Sequence, residues 1–320
     1  MLFNTEYFRV LCQSESISAA AEKLHVSHQN LSRYIRNLEQ QYRTVLFTRT
    51  PKLALTEAGR AVLDSMQEIA IAEQNLQTRL QEIRRSDVGS LRVGAPEGRF
   101  RIVLPGVLAA LRQEYPGVAV CPVAAPSSEL QKKLLRNEID VALIDGDFVD
   151  PVRFRQWSVM EETLSFVISD RLLRRHLGKL EAADLARFRQ GIDIREFLAL
   201  PFILNLPNSI SRRCLDRWLR AHDRQIRPVM ELSQMDMHIL LSACGYGACF
   251  CWSMYLPLVE EQNLLHRDDP LYVFPLKDFP DHNRIVLASL KQKTLPSFGK
   301  RYCSLIRERY ASLALPASFK

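Results

Sequence analysis

Ser16-Ile17-Ser18-Ala19-Ala20-Ala21-Glu22-Lys23-Leu24-His25-Val26-Ser27-His28-Gln29-Asn30-Leu31-Ser32-Arg33-Tyr34-Ile35-Arg36-Asn37-Leu38-Glu39 holds two helical patterns and the turn between them. Ser18 is the expected N-cap of the first, and Ala19, Ala20 and Ala21 let a neighbouring backbone come close. His25-Val26 make a tight turn, and Ser27 caps a helix from His28 to about Tyr42. Its Leu31, Ile35 and Leu38 form one apolar stripe, while His28, Gln29, Asn30, Ser32, Arg33 and Arg36 occupy the other face. Upstream, Phe8, Leu11 and Cys12 fall at helical spacing. A last helix anchored by its apolar stripe, with donors and acceptors outward near its N-terminus, is what reading base edges in a DNA major groove requires. The Ser18 and Ser27 hydroxyls and the amides at both helix starts suit phosphate oxygens.

Downstream, residues 44–55 predict a short wing with Pro51 in its turn, whose Arg49 and Lys52 hold the adjacent DNA backbone. Between His25 and Arg60, six basic residues (Arg33, Arg36, Arg43, Arg49, Lys52, Arg60) stand against two acids, Glu39 and Glu57. Taken alone, a solvated helix face is the commoner explanation of such a pattern.

The whole string, with Val45-Leu46-Phe47-Thr48-Arg49 and Leu53-Ala54-Leu55-Thr56-Glu57-Ala58-Gly59, resembles without gaps the DNA-binding signature of LysR-type transcriptional regulators. The family usually has Gln where His28 stands and Pro or Ser where Gln29 stands. Those departures concern which bases are read and leave the motif intact. The resemblance implies a winged helix-turn-helix over residues 1–60 that binds double-stranded DNA as a homodimer or homotetramer.

From Thr56 to about Arg85 the only helix breaker is Gly59, near the start. Val62, Ile69, Leu76 and Ile83 recur every seven residues, with Met66 and Leu80 four after two of them, which predicts a dimerising linker helix. Residues 56–90 are thus a linker ending in a hinge, Ser86-Asp87-Val88-Gly89-Ser90.

Residues 91–320 alternate strand-like and helical stretches, predicting an α/β sheet with helices on both faces. Leu91-Arg92-Val93-Gly94, Val118-Ala119-Val120 and Val141-Ala142-Leu143-Ile144 read as strands, and Ile102 to Glu114 as a helix with Leu104, Leu108 and Leu111 inward. Two crossovers, near residues 161–163 and 265–269, predict lobe I over about 91–161 and 268–320 and lobe II over about 162–267. This portion resembles the family's two-lobed, type 2 periplasmic-binding-protein-like effector domain. The resemblance implies effector contacts from Pro96, Gly98, Arg99, Phe100 and Arg101, from Ser127 and Ser128, and from Asn208, Ser209, Gly245, Tyr246 and Gly247. Many members carry Ser or Thr where Gly98 stands. Arg99 and Arg101 beside a helix start favour an anionic effector, with ordinary surface charge the equal alternative.

The bulk composition agrees. The chain has 320 residues, 47% hydrophobic and 25% charged, with a formal net charge of +7. That is a folded protein with a modest cation excess, which fits nucleic acid first and a membrane surface second. Seven scattered cysteines make no disulfide framework. The N-terminus lacks a signal-peptide pattern, and no apolar run nears the roughly 18 residues of a membrane span. A cytoplasmic regulator that is no enzyme, with no cofactor or metal, is expected. The alternatives are a solute-binding component or a thiol-based redox sensor, the latter through Cys244, Cys249 and Cys251. An enzyme with an appended DNA-binding module is disfavoured by the lack of a catalytic grouping.

Overall fold

The structure, a computed structural model, describes residues 5–50, 52–84, 88–279 and 282–312. Two compact units emerge: Met1–Arg84 with Gln292–Thr294, and Arg85–Lys291 with Leu295–Lys320.

The first unit is a three-helix cluster, α1 (Thr5–Cys12), α2 (Ile17–Lys23) and α3 (His28–Tyr42), followed by a two-stranded wing, β1 (Phe47–Thr48) and β2 (Ala54–Leu55), and by α4 (Glu57–Ile83). Phe8, Leu11, Ala20, Ala21, Leu31, Ile35, Leu38, Leu46, Phe47 and Met66 make its core. The α2–α3 turn places His25 in the left-handed region at φ 52°, and Arg43 ends α3 in the same region at φ 54°. Ser16, not Ser18, caps α2. Its extended backbone lets Oγ accept from the Ala19 amide at 3.1 Å, whereas Ser18 already lies inside the first turn.

On α4, Val62 is absorbed into the core of this unit rather than joining an open seam. Met66 is buried there too, while the rest of the seam lies open, with Ile69 50%, Leu76 58%, Leu80 42% and Ile83 77% exposed. Ser86 and Asp87 of the expected hinge lie outside the described residues, and Gly89 and Ser90 already belong to a strand.

The second unit runs β3 (Gly89–Ala95), α5 (Glu97–Glu114), β4 (Val118–Ala124), α6 (Ser127–Leu135), β5 (Val141–Asp145), β6 (Phe154–Ser169), α7 (Asp170–Leu177), α8 (Ala182–Arg189), β7 (Phe202–Leu204), α9 (Ile210–Ala221), β8 (Pro228–Glu231), α10 (Met235–Ala243), β9 (Ala248–Trp252), α11 (Leu256–Leu265), β10 (Leu271–Pro275), β11 (His282–Leu290) and α12 (Ser297–Ser312). Strand order is β4-β3-β5-β11-β6 in the first lobe, and the sheet continues β6-β9-β7-β8 in the second. β6 is the shared strand. Its residues 154–163 pair with β11, and its residues 164–169 pair with β9 and β10.

Since β10 pairs with Ser165–Ser169, it belongs to the second lobe, and the return crossover falls after Pro275 rather than near residues 265–269. Helix α5 also starts earlier than expected, so residues 97–101 are helix, not loop. Its buried stripe is Phe100, Val103, Val107 and Leu111 instead of the leucines at 104 and 108. Both sets fit a helical period, and only packing against α12 and β4 decides between them.

Candidate functional site

On the first unit, Ser27 Oγ accepts from the Asn30 amide at 3.2 Å and fixes the start of α3. His28, Gln29, Asn30, Arg33 and Arg36 are exposed and Ser32 is half-buried, while Leu31, Ile35 and Leu38 anchor the helix from behind. The Arg33 guanidinium donates to Asn30 Oδ1 at 3.1 Å, so two base-reading candidates present one joined surface. Arg49 lies 3.8 Å from Glu39, and Lys52 lies 3.5 Å from Glu15. Both cations are mostly exposed, and surface pairs contribute only about 0–1 kcal/mol, so both can exchange their partners for phosphate. Glu39 does more than add a negative charge beside the basic residues. Its Oε1 accepts from the Leu46 and Phe47 amides at 2.9 and 3.3 Å, which ties the wing to the reading helix.

In the second unit the parallel strands of both lobes end toward the crossover. Trp252, closing β9, pairs with Leu164, the first second-lobe residue of β6. Asp145, closing β5, pairs with Ile285 near the start of β11. Ligands of such sheets bind beyond the carboxyl ends of the strands, so the cleft lies between these two sets of ends.

Its floor is a buried polar network centred on Asp145 and Glu162, two residues the sequence reading did not single out. Arg99 Nη2 donates to Asp145 Oδ1 at 2.8 Å and to Glu162 Oε2 at 3.2 Å. Ser127 Oγ donates to Asp145 Oδ2 at 2.6 Å. Asn283, the register partner of Glu162, donates Nδ2 to Asp145 Oδ1 at 2.8 Å and to Glu162 Oε2 at 3.2 Å. Burial opposes the Arg99 charge, but the facing Glu162 and Asp145 carboxylates outweigh it and hold the guanidinium protonated.

Glu162 is pushed upward by burial, only partly offset by Arg99, with Asp145 adding to the rise. An acid whose folded pKa exceeds its unfolded value stabilises the fold below the ordinary carboxylate range, and that contribution is lost as pH rises through the raised value. All three tryptophans, Trp157, Trp218 and Trp252, lie in this unit and report its unfolding. Their transition is expected to weaken with rising pH over that window, and Glu162→Gln to flatten the trend. An unchanged slope in the variant would count against Glu162 as the titrating group.

Several expected effector residues are therefore elsewhere or already engaged. Arg99 is buried and twice paired, and Arg101 is paired with Asp236. The two free cations behind the anion expectation do not exist. Ser127 is buried on Asp145 and Phe100 is packed in the core, while Pro96 and Ser128 stay at helix starts on the cleft side. A Cβ at Gly98 would lie 2.3 Å from the Tyr255 hydroxyl, so Tyr255 holds the space that a Ser or Thr side chain at this position would need. Asn208 and Ser209 follow β7 on the cleft side, with Ser209 Oγ accepting from the Arg212 amide at 3.2 Å. Gly245, Tyr246 and Gly247 precede β9 at the opposite end of the second lobe, where Gly245 packs on Arg171 and Gly247 on the Pro201 carbonyl. They are remote from the cleft. Cys249 and Cys251 are buried, and burial pushes Cys249 up to about 12, which keeps it a protonated, shielded thiol.

A helix-turn-helix unit with a polar reading face and a two-lobed α/β unit with a cleft define a ligand-responsive DNA-binding protein. Residues 2–60 match the family described as bacterial regulatory helix-turn-helix protein, lysR family, and residues 84–310 match the LysR substrate binding domain. The chain belongs to the LysR family and is a DNA-binding transcriptional regulator with an effector-binding domain. A probable RuBisCO transcriptional regulator from Gracilaria tenuistipitata var. liui is 26% identical over 274 residues, 82% of this chain and 84% of that one. The HTH-type transcriptional regulator CzcR of Bacillus subtilis (strain 168) is 24% identical over 280 residues, 87% of this chain and 86% of that one. Among solved structures, full-length CbnR complexed with its target DNA is similar at TM-score 0.55 and 19% identity, covering 97% of this chain and 100% of that one. HinK, a LysR family transcriptional regulator from Pseudomonas aeruginosa, is similar at TM-score 0.55 and 20% identity, covering 97% and 98%. These structural likenesses concern the fold.

Proposed function

We propose that this regulator works as a homodimer or homotetramer in the cytoplasm, reads operator DNA with α3, and adjusts its DNA-binding units when a small metabolite enters the cleft. It acts by binding, without catalysis. The observation that carries the reading is the face of α3, where His28, Asn30 and Arg33 stand exposed over a fully buried Leu31/Ile35/Leu38 stripe. His28, Asn30 and Arg33 include the base-reading side chains. Ser18, Ser27, Arg49 and Lys52 hold phosphates, with Gln29, Ser32 and Arg36 beside them. Gel shifts on operator variants test this. Losing a bidentate base contact costs roughly 1–3 kcal/mol and relaxes preference at one position. Arg49→Ala or Lys52→Ala instead weakens all sequences alike and flattens the salt dependence. Operator preference unchanged in all three of His28→Ala, Asn30→Ala and Arg33→Ala would refute the α3 assignment.

Dimerisation runs through the open part of the α4 seam, Ile69, Leu76 and Ile83, with Leu80 between them. The support is their exposure along α4. Ile69→Lys with Leu76→Lys places unpaired charges in that interface. Sedimentation of residues 1–90 is expected to show a dimer that the double change abolishes. A wild-type fragment that stays monomeric at high concentration speaks against the seam.

A further inference from the structure

Arg101 and Asp236 meet across the cleft from opposite lobes. Arg101 lies near the start of α5, and Asp236 lies in the first turn of α10, which follows β8 and so presents its amino end to the first lobe. Their surroundings are unequal. The Arg101 side chain is 62% exposed and that of Asp236 only 7%. Asp236 Oδ2 is buried and accepts no hydrogen bond, so the Arg101 guanidinium is the group that meets its charge.

The unequal burial decides which member of the pair a ligand can replace. An anion entering here has to claim Arg101, leaving the Asp236 carboxylate buried, unpaired and beside a second negative charge. Breaking a pair in that direction is strongly unfavourable. A cation does the reverse. It takes over Asp236, and the Arg101 guanidinium returns to the water in which most of it already sits. A carboxylate in the first turn of α10 also sits at the positive end of the helix dipole. The cleft floor offers an anion nothing either. The three buried carboxylates of Asp145, Glu162 and Asp236 face two guanidiniums, those of Arg99 and Arg101.

We propose that the effector carries an ammonium or guanidinium group that docks on Asp236 and displaces Arg101. This rests on the effector-cleft reading above and names the charge of what the cleft takes. Arg101 is then an internal stand-in for the ligand, a planar cation on a flexible stem that ties the two lobes while the cleft is unliganded. Exchange replaces a tie within the chain by contacts to the ligand, and that difference between liganded and unliganded lobes is what can shift their equilibrium.

Calorimetric titration of the full-length protein at fixed ionic strength tests this, with agmatine and putrescine as cationic probes and succinate and inorganic phosphate as anionic ones. Agmatine is expected to bind the wild type and Asp236→Asn to lose it. The telling variant is Arg101→Gln, whose amide can still donate to the Asp236 carboxylate that loss of Arg101 would strand, and whose tryptophan unfolding transition shows that it is folded. If Arg101 holds the site roughly nine-tenths of the time, removing it tightens agmatine binding about tenfold. Succinate or phosphate binding that Arg101→Gln abolishes overturns the cationic class, as does an Arg101→Gln protein that binds neither cation at millimolar concentration. Gel shifts on operator DNA with the same probes separate this from its premise. Anion dependence reverses only the charge assignment, whereas specific cleft binding that never alters operator affinity removes the effector reading beneath it.

Discussion

Arg99→Met is expected to destabilise the two-lobed unit by about 3–5 kcal/mol, the range for removing one partner of a buried ion pair. Arg99 is 5% exposed and Glu162 is fully buried, so neither carboxylate gains water when the guanidinium goes. Ser127 and Asn283 still donate to Asp145, but Glu162 keeps only the Asn283 amide and faces Asp145 directly. Met fills a similar volume, so the loss is electrostatic rather than a cavity. Urea unfolding of the full chain, followed by tryptophan fluorescence, reads the change because all three tryptophans lie in this unit. Adding Glu162→Gln removes one of the stranded charges and should restore a substantial part of the loss. A single variant within about 1 kcal/mol of wild type, the scale of an exposed pair, would show that the network is solvated in solution.

Gly59→Ala should disrupt the DNA-binding unit while leaving the tryptophan transition unmoved. A Cβ there would lie 2.1 Å from the Leu46 carbonyl oxygen and 3.1 Å from its carbon. Both are backbone atoms and cannot rotate aside. Leu46 is pinned as well, since its carbonyl accepts from the Thr56 amide at 3.0 Å and its amide donates to Glu39 at 2.9 Å. The start of α4 has to lift off the wing. Alanine gains about 1 kcal/mol of helix propensity. Overpacking costs roughly 1–3 kcal/mol, and broken wing hydrogen bonds add about 1 kcal/mol each, so the clash wins. Amide exchange of residues 5–84 should speed up and operator affinity should fall. Exchange at the wild-type rate would mean that the wing accommodates the methyl.

Residues 16–39 carried the reading of the first unit because a helix-turn-helix is local. Caps, turn and apolar stripe all act within about four residues of one another, and the period shows directly in the string. Even there Ser16 took the cap from Ser18, since two serines two residues apart are equivalent candidates until the backbone selects one. The heptad on α4 was legible for the same reason, but not that Val62 turns into the core of its own unit. In the second unit most strands could be read as short apolar runs. The first part of the sixteen-residue β6 could not, because it is half-exposed and makes sense only within a strand shared by two sheets.

The cleft separates the two kinds of information most clearly. The chain by itself determined that there is a reading helix, a linker helix and a two-lobed α/β unit, each written in periodic apolar positions that act over a few residues. The family resemblance placed Arg99, Arg101 and Ser127 at the cleft side, and the structure has them near helix starts beyond strands. What those groups do there was decided by residues 18 to 135 positions away. Asp145 takes Ser127, Asp145 and Glu162 take Arg99 with Asn283 joining them, and Asp236 takes Arg101. Sheet topology alone brings these partners together, and a charge has no chemical meaning for a ligand until its neighbours and its access to water are known.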